Sequence, residues 1–227
     1  NNGYQFENLI ENKFQVAYLQ TIGTYGKWDT SKFYGDFGLY AQTGEAAIAN
    51  DKENVGAYYA GFNLGYKFTV PFKAELGFEY LSGKDQNDTN TKVKSFSPLF
   101  GTNHAFNGLM DNFYVGNHKN SVGLQDIYAK FIYDKNKWQV TLSPHLFYSA
   151  ASVYNMTTLE EQDNYLGTEI DVVGSYKLDK NFVISVGVSK MLGSDTMEVL
   201  KGGNNNTSSN WAWVMASFNP QLFSNKK

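Results

Sequence analysis

An all-β, antiparallel up-and-down barrel that crosses a membrane is the fold class this sequence predicts, and three observations predict it. Nine segments alternate apolar and polar residues with the period of a strand. The connections between them alternate between short turns and long loops, as in outer-membrane barrels, whose periplasmic turns are short and extracellular loops long. Aromatics make up 16% of the chain, and Gly at 21 outnumbers Pro at 4, a balance that suits pleated surfaces, bulges and turns. A soluble β-sandwich or carbohydrate-binding barrel also alternates, but has no reason to sort its loops by length.

The first segment, Lys13 to Ile22, sets Phe14, Val16 and Tyr18 against Gln15 and Ala17, and Gly26 to Lys32 turns the chain. Phe33, Phe37, Leu39 and Ala41 then share a face opposite Tyr34, Asp36 and Tyr40. A polar loop is expected from Thr43 to Asn54, followed by a strand from Gly56 to Phe68. The clearest alternation follows Pro71: Phe72, Ala74, Leu76, Phe78 and Tyr80 oppose Lys73, Glu75, Gly77 and Glu79. After a long insert, Leu124 to Tyr133 and Trp138 to Tyr148 form a hairpin, with Asp126, Lys130 and His145 on the polar face. Leu166 to Tyr176 and Phe182 to Val188 form another, with Glu169 and Asp171 on that face. An Asn- and Gly-rich loop leads to the last strand, Trp211 to Phe218.

Such segments need only about ten residues, tilted roughly 45°, to cross the hydrocarbon core. Trp28, Trp138, Trp211 and Trp213, with Tyr133, Tyr148 and Tyr176, lie near strand ends and are expected to form interfacial girdles. Nine is an odd count, whereas bacterial single-chain barrels use even ones. The segment Asn1 to Asn12 is therefore expected to lie in a loop on the long-loop side, with further strands upstream. The chain reads as a single domain over 1–227, the C-terminal portion of a larger barrel.

Several classes are excluded or disfavoured. With no Cys there is no disulfide framework and no Cys-based metal site. A net charge of -3, with 19 basic residues that are all Lys, gives no support to a nucleic-acid partner. No apolar run approaches the ~20 residues of a transmembrane helix, and the mean hydropathy of -0.43 is compatible with alternating strands.

The insert at about 82–122 is too long for a simple connector. Its first part, Gly83 to Thr91, is polar and reads as solvated. Its second part carries Phe96, Leu99, Phe100, Phe106, Leu109, Met110, Phe113 and Tyr114, too much apolar area to leave in water, and is expected to fold back. As a constriction, it would pack Leu99, Phe100, Phe106 and Phe113 inside the barrel mouth and turn Asn103, His104, Asn107 and Asp111 toward solute. The bland alternative is packing over the rim.

Lys67, Lys73, Glu75, Glu79, Asp126, Lys130, His145, Glu169 and Asp171 are the expected pore-lining residues. Glu169 and Asp171 share one strand face and Glu75 and Glu79 another, a pairing suited to acid and base work on a glycoside. No cleft signature or nucleophile motif accompanies them, and they read as a solvated wall that sets ion selectivity. The 3 His, at positions 104, 118 and 145, show no metal-ligand spacing, so neither catalysis, metal nor cofactor is expected.

Tyr80-Leu-Ser-Gly83, Phe96-Ser-Pro-Leu-Phe-Gly-Thr-Asn-His-Ala-Phe-Asn-Gly108 with Asp111, Gly123-Leu-Gln-Asp-Ile-Tyr128, Leu166-Gly-Thr-Glu-Ile-Asp171, Ser175-Tyr-Lys177, Lys180-Asn181 and Trp211-Ala-Trp213 together resemble the alginate-export family of outer-membrane proteins. The resemblance covers roughly the last two thirds of the chain. It implies a monomeric barrel of about eighteen strands, within the bacterial range, of which this chain is the second half. It also implies passage of polysaccharide or small solutes across the bacterial outer membrane. An alginate exporter is expected to guide its polyanion with a basic, often Arg-rich, lumen; here Arg is absent and Lys is mixed with carboxylates. The expected function is a passive porin-like channel for small hydrophilic solutes or polysaccharide, with outer-membrane lipid as its surroundings. The alternative is a plugged barrel acting in ligand binding or adhesion.

Overall fold

The computed structural model describes residues 2–8, 13–48, 51–99, 107–113, 121–221 and 223. Its strands form one antiparallel sheet of ten, in which each pairs with its neighbours in sequence. They are β1 (Asn2–Asn8), β2 (Lys13–Asp29), β3 (Phe33–Ile48), β4 (Asp51–Lys67), β5 (Phe72–Leu81), β6 (Leu124–Lys135), β7 (Trp138–Tyr148), β8 (Tyr165–Asp179), β9 (Phe182–Gly193) and β10 (Ser209–Phe218). All nine expected strands are present in the expected order. The tenth, β1, lies in the segment read as loop; its alternation of Tyr4 and Phe6 with Gln5 and Glu7 spans only a few residues among Asn and Gly. The even count removes the parity reason for strands upstream. Among the described residues β1 pairs only with β2 and β10 only with β9, so the sheet is not closed on itself.

A second difference concerns the loop expected from Thr43 to Asn54. Most of it is strand: the β3/β4 ladder continues from Thr43↔Gly56 to Ile48↔Asp51, and positions 49 and 50 lie outside the described residues. Glu45, Lys52, Glu53 and Asn54 gave it a loop-like composition, but Ala46 and Val55 are buried in the apolar cluster and Ile48 packs against it, so the extension has a short apolar face of its own. The hairpin also has a third neighbour. Val93 forms a parallel bridge with Val55, donating its N–H to Asn54 O at 2.8 Å and accepting from Gly56 N at 2.9 Å.

The turns at the opposite end are tight, as their composition requires. Asn136, with φ of 59°, occupies the left-handed region in the two-residue β6/β7 connection, the conformation such hairpins use and Asn tolerates. Thr30 closes the β2/β3 turn by accepting from Phe33 N at 3.0 Å and donating to Phe33 O at 2.8 Å. The last long loop contains a helix that the sequence did not announce, α1 (Asp195–Lys201). Ser194 caps it by accepting from Met197 N at 3.2 Å, and Gly202 ends it at φ of 74°.

The sheet buries its polar face and exposes its apolar one. Leu76, Phe131, Leu142, Val186 and Val188 are exposed along the middles of their strands, whereas Asp126, Ser143, His145, Glu169, Asp171, Ser185 and Ser189 on the other face are buried. Water would favour the opposite arrangement. Apolar packing on the buried face is concentrated near the long loops, where Phe96, Phe113, Leu124, Phe147, Leu166 and Met191 form one cluster. Aromatic pairs mark two levels on the exposed face: Phe72 with Tyr133 and Trp138 with Tyr176 by the short turns, Tyr58 with Tyr80 and Tyr148 with Tyr165 by the long loops. From Trp138 to Tyr148 a strand climbs about 33 Å at ~3.3 Å per residue, hence about 23 Å of height at a 45° tilt. That matches the ~25 Å apolar band of an outer-membrane barrel.

Trp211 and Trp213 depart from the expected girdle. They stand opposite Ser189 and Gly187 in the β9/β10 ladder and therefore share the polar face. A Cβ at Gly187 would lie 2.3 Å from the Trp213 ring, so that glycine is where the indole rests on the neighbouring backbone.

Candidate functional site

The ladder register gathers the chemistry of the polar face into rows. One row places Gly77, Tyr128, His145, Glu169 and Met191 side by side on β5 to β9; the next, toward the long loops, pairs Glu79 with Asp126 and Asp126 with Phe147. On the other side of the first row, Glu75 faces Lys130, and Asp171 lies between Ser143 and Ser189. Residues two apart on a strand share a face, so Glu169 and Asp171 are vertical neighbours.

Buried carboxylates need donors, and each finds some. His145 Nδ1 lies 3.0 and 2.9 Å from the two carboxylate oxygens of Asp126, which places its donated proton on Nδ1, and its Nε2 lies 3.9 Å from Asp171 Oδ2. The imidazole is held flat between Tyr128 and Phe147, with ring centroids 5.3 and 5.6 Å away. Glu75 pairs with Lys130 at 3.4 Å, and Tyr59 OH donates to Glu79 Oε1 at 3.1 Å.

The remaining donors come from the long insert. Asn107 Nδ2 donates to Glu79 Oε2 at 2.9 Å, Leu109 N to Asp171 Oδ2 at 3.3 Å, Met110 N to Glu169 Oε1 at 2.8 Å and Asn112 Nδ2 to Glu169 Oε2 at 3.3 Å. The insert thus hangs on three carboxylates of two strands, β5 and β8. Gly108, at φ of 82°, makes this approach possible: a Cβ there would lie 2.5 Å from Glu169 Oε1. Phe113 packs against Phe147 at 4.6 Å, and Lys201 of α1 sits 5.7 Å from the Phe113 ring centroid. Burial lowers the Lys201 ammonium below its ordinary pKa.

The insert is also fixed before it reaches the carboxylates. Phe96 is buried against Tyr59, with centroids 5.5 Å apart, and its N–H donates to Ser82 O at 2.9 Å. Buried Gln42 on β3 treats Ser97 as a strand neighbour, donating Nε2 to its carbonyl at 2.7 Å and accepting from its N–H at 3.0 Å. Gln42→Ala is expected to weaken the seating of this segment by about 2 kcal/mol, since two paired backbone groups lose their partner. Amide exchange at Ser97 would then quicken roughly thirtyfold; unchanged protection would show that the clamp contributes nothing.

The expected pore-lining residues all lie on the polar face, but they do not form one cluster. Glu79, Asp126, His145, Glu169 and Asp171 meet beneath the insert. Glu75 and Lys130 sit below them as an ion pair. Lys67 and Lys73 face each other near the short turns, Lys67 bound to Asp29 and donating to Thr30 O at 2.9 Å. Of the insert residues, Leu99 packs on the apolar cluster, Asn107 is buried on Glu79, and Asp111 is half-buried at φ of 56°. Phe100, Asn103, His104 and Phe106 lie outside the described residues. Gln42, Tyr59, Gly108, Asn112 and Ser189 were not singled out by the sequence. Gln42, Tyr59 and Ser189 share the parity of the polar face, but nothing in their local sequence announces a partner 55 positions away such as Ser97.

An up-and-down antiparallel sheet with exposed apolar residues between aromatic levels, and carboxylates buried on its other face, defines the class of membrane β-barrel sheets. The alginate export family model matches residues 13–208, and the chain belongs to that family, one of outer-membrane transport proteins. No curated protein matches the chain.

Proposed function

We propose that this chain forms part of an outer-membrane channel through which small hydrophilic solutes or polysaccharide pass passively, with no side chain performing chemistry. The observation that carries this reading is the inverted burial: Leu76 is 68% and Val188 49% exposed, while Glu169 and Asp126 are 0% and 1% exposed on the other face. Lipid accepts the first surface, and a polar interior accepts the second. Glu79, Asp126, His145, Glu169 and Asp171, with Lys67, Lys73, Glu75 and Lys130 lower down, line that interior. The insert narrows it. Because lipid tolerates no unpaired strand edge, β1 and β10 are joined by further strands, as expected of a longer barrel of which this is the C-terminal portion.

One observation favours a second reading, a plugged barrel acting in ligand binding or adhesion: four hydrogen bonds fasten the insert to the wall. Single-channel recording of the full-length protein in a planar bilayer separates the two. Stepwise openings, interrupted by one class of oligosaccharide when neutral and acidic sugars are titrated in, are the expected result. Silence from a correctly folded barrel would overturn the channel in favour of the plug.

A further inference from the structure

The wall beneath the insert gathers more carboxyl groups than cationic partners. Five carboxylates, Glu75, Glu79, Asp126, Glu169 and Asp171, occupy adjacent positions on β5, β6 and β8. On this stretch Lys130 is already paired with Glu75, and His145 is held by Asp126. The insert brings backbone N–H groups and side-chain amides. These are dipoles that satisfy lone pairs but leave the net charge in place.

A second observation, independent of the acidic groups, locates the unmet demand. Ser189 stands directly opposite Asp171 across the β8/β9 ladder, on the same face. Both are buried, and Ser189 Oγ and Asp171 Oδ1 have no hydrogen-bond partner. Where these buried carboxyls are ionised, their charge calls for a counter-charge, and a one-signed cleft with low-dielectric walls enriches mobile counter-ions.

We infer that this wall is a cation-selective filter, in which Glu79, Asp126, Glu169 and Asp171, together with the Ser189 hydroxyl, take positively charged solutes and turn polyuronates away. The inference rests on the channel reading and names its solute class. Alkali ions and ammonium-bearing sugars share the chemistry required, a positive charge that Asp171 Oδ1 and Ser189 Oγ receive as acceptors. An acidic polysaccharide would bring its carboxylates against four of the protein's own, with Lys67 and Lys73 a further stretch of strand away near the short turns.

The test is the reversal potential of the full-length protein in a potassium chloride gradient at neutral pH, followed by block with glucosamine oligomers and with oligouronates. Potassium should be more permeant than chloride by roughly tenfold, the lower end of counter-ion enrichment in a one-signed cleft. Glucosamine oligomers should block, and oligouronates should not. Asp171→Asn and Glu79→Gln each keep an acceptor for the insert while removing a charge, and each should shift the ratio toward one. Ser189→Ala should leave the ratio unchanged but weaken the glucosamine block. Channels that prefer chloride, or that oligouronates block, would overturn the filter and leave the channel standing. Selectivity unchanged in both charge variants would overturn the residues assigned to it. Absence of any conductance from a folded barrel would remove the channel itself, and the filter with it.

Discussion

Gly108→Val is expected to unseat the insert from the wall and enlarge the pore. The new Cβ would lie 2.5 Å from Glu169 Oε1 and 2.6 Å from its Cδ, a distance that forces something to move. Glu169 has little freedom to do so: it is buried, and its two oxygens are held by Met110 N and Asn112 Nδ2. The backbone at φ of 82° adds strain of its own for a β-branched residue, about 1–2 kcal/mol. Lifting the segment forfeits hydrogen bonds to charged groups worth roughly 1.5–3 kcal/mol each, so the seated state loses on both counts. Single-channel conductance should rise severalfold while the barrel remains folded. Gly174→Ala is the matched control, because a Cβ there meets nothing within 4 Å. Unchanged conductance in a folded Gly108→Val barrel would show that the insert packs over the rim without narrowing the passage.

Gly108 also shows where the sequence stops being legible. The strands of β5 to β9 were readable because alternation is a local signal: Phe72 to Tyr80 and Phe182 to Val188 each carry enough apolar residues on one parity to fix a face. The collapse of the insert was readable too, since Phe96 and Phe113 could not stay in water. What they collapse onto depends on residues far along the chain. The partners of Glu169 lie 57 and 59 positions away, and Gln42 reaches Ser97 across 55. No local period encodes such pairs. Two of the local readings that failed show the physical reason. The extension of β3 and β4 beyond Thr43 carries its apolar parity only in Ala46, Ile48 and Val55, set among charged and polar residues, and those three pack on the apolar cluster. Trp211 and Trp213 sit by strand end and aromaticity where a girdle is expected, but ladder register places them opposite Ser189 and Gly187 on the polar face. Faces follow from parity within a strand, whereas the identity of each face follows from what covers it.

That question of identity has a sharp test in two adjacent valines. Val172 and Val173 differ by one position on β8, so their side chains leave opposite faces. Val172 lies between Leu142 and Val188 on the exposed apolar face, and Val173 between Thr141 and Gly187 on the polar face. Both stand near the middle of their strand, where a bilayer midplane would fall. If the exposed face meets lipid, Val172→Lys should destabilise the folded barrel by about 2–4 kcal/mol, the cost of a lysine at the midplane. Val173→Lys should be nearly neutral, since the ammonium would enter a polar interior already lined by carboxyl groups. In a soluble sandwich the signs reverse: lysine at exposed Val172 would be harmless, and lysine at Val173 would be driven into a core. Urea unfolding of the two variants in lipid vesicles reads the difference directly. Because the substitution and its strand are the same, propensity cancels and only the surroundings of the two faces remain. Equal costs would mean that neither face is lipid, and a larger cost at Val173 would place water where the channel reading requires a membrane.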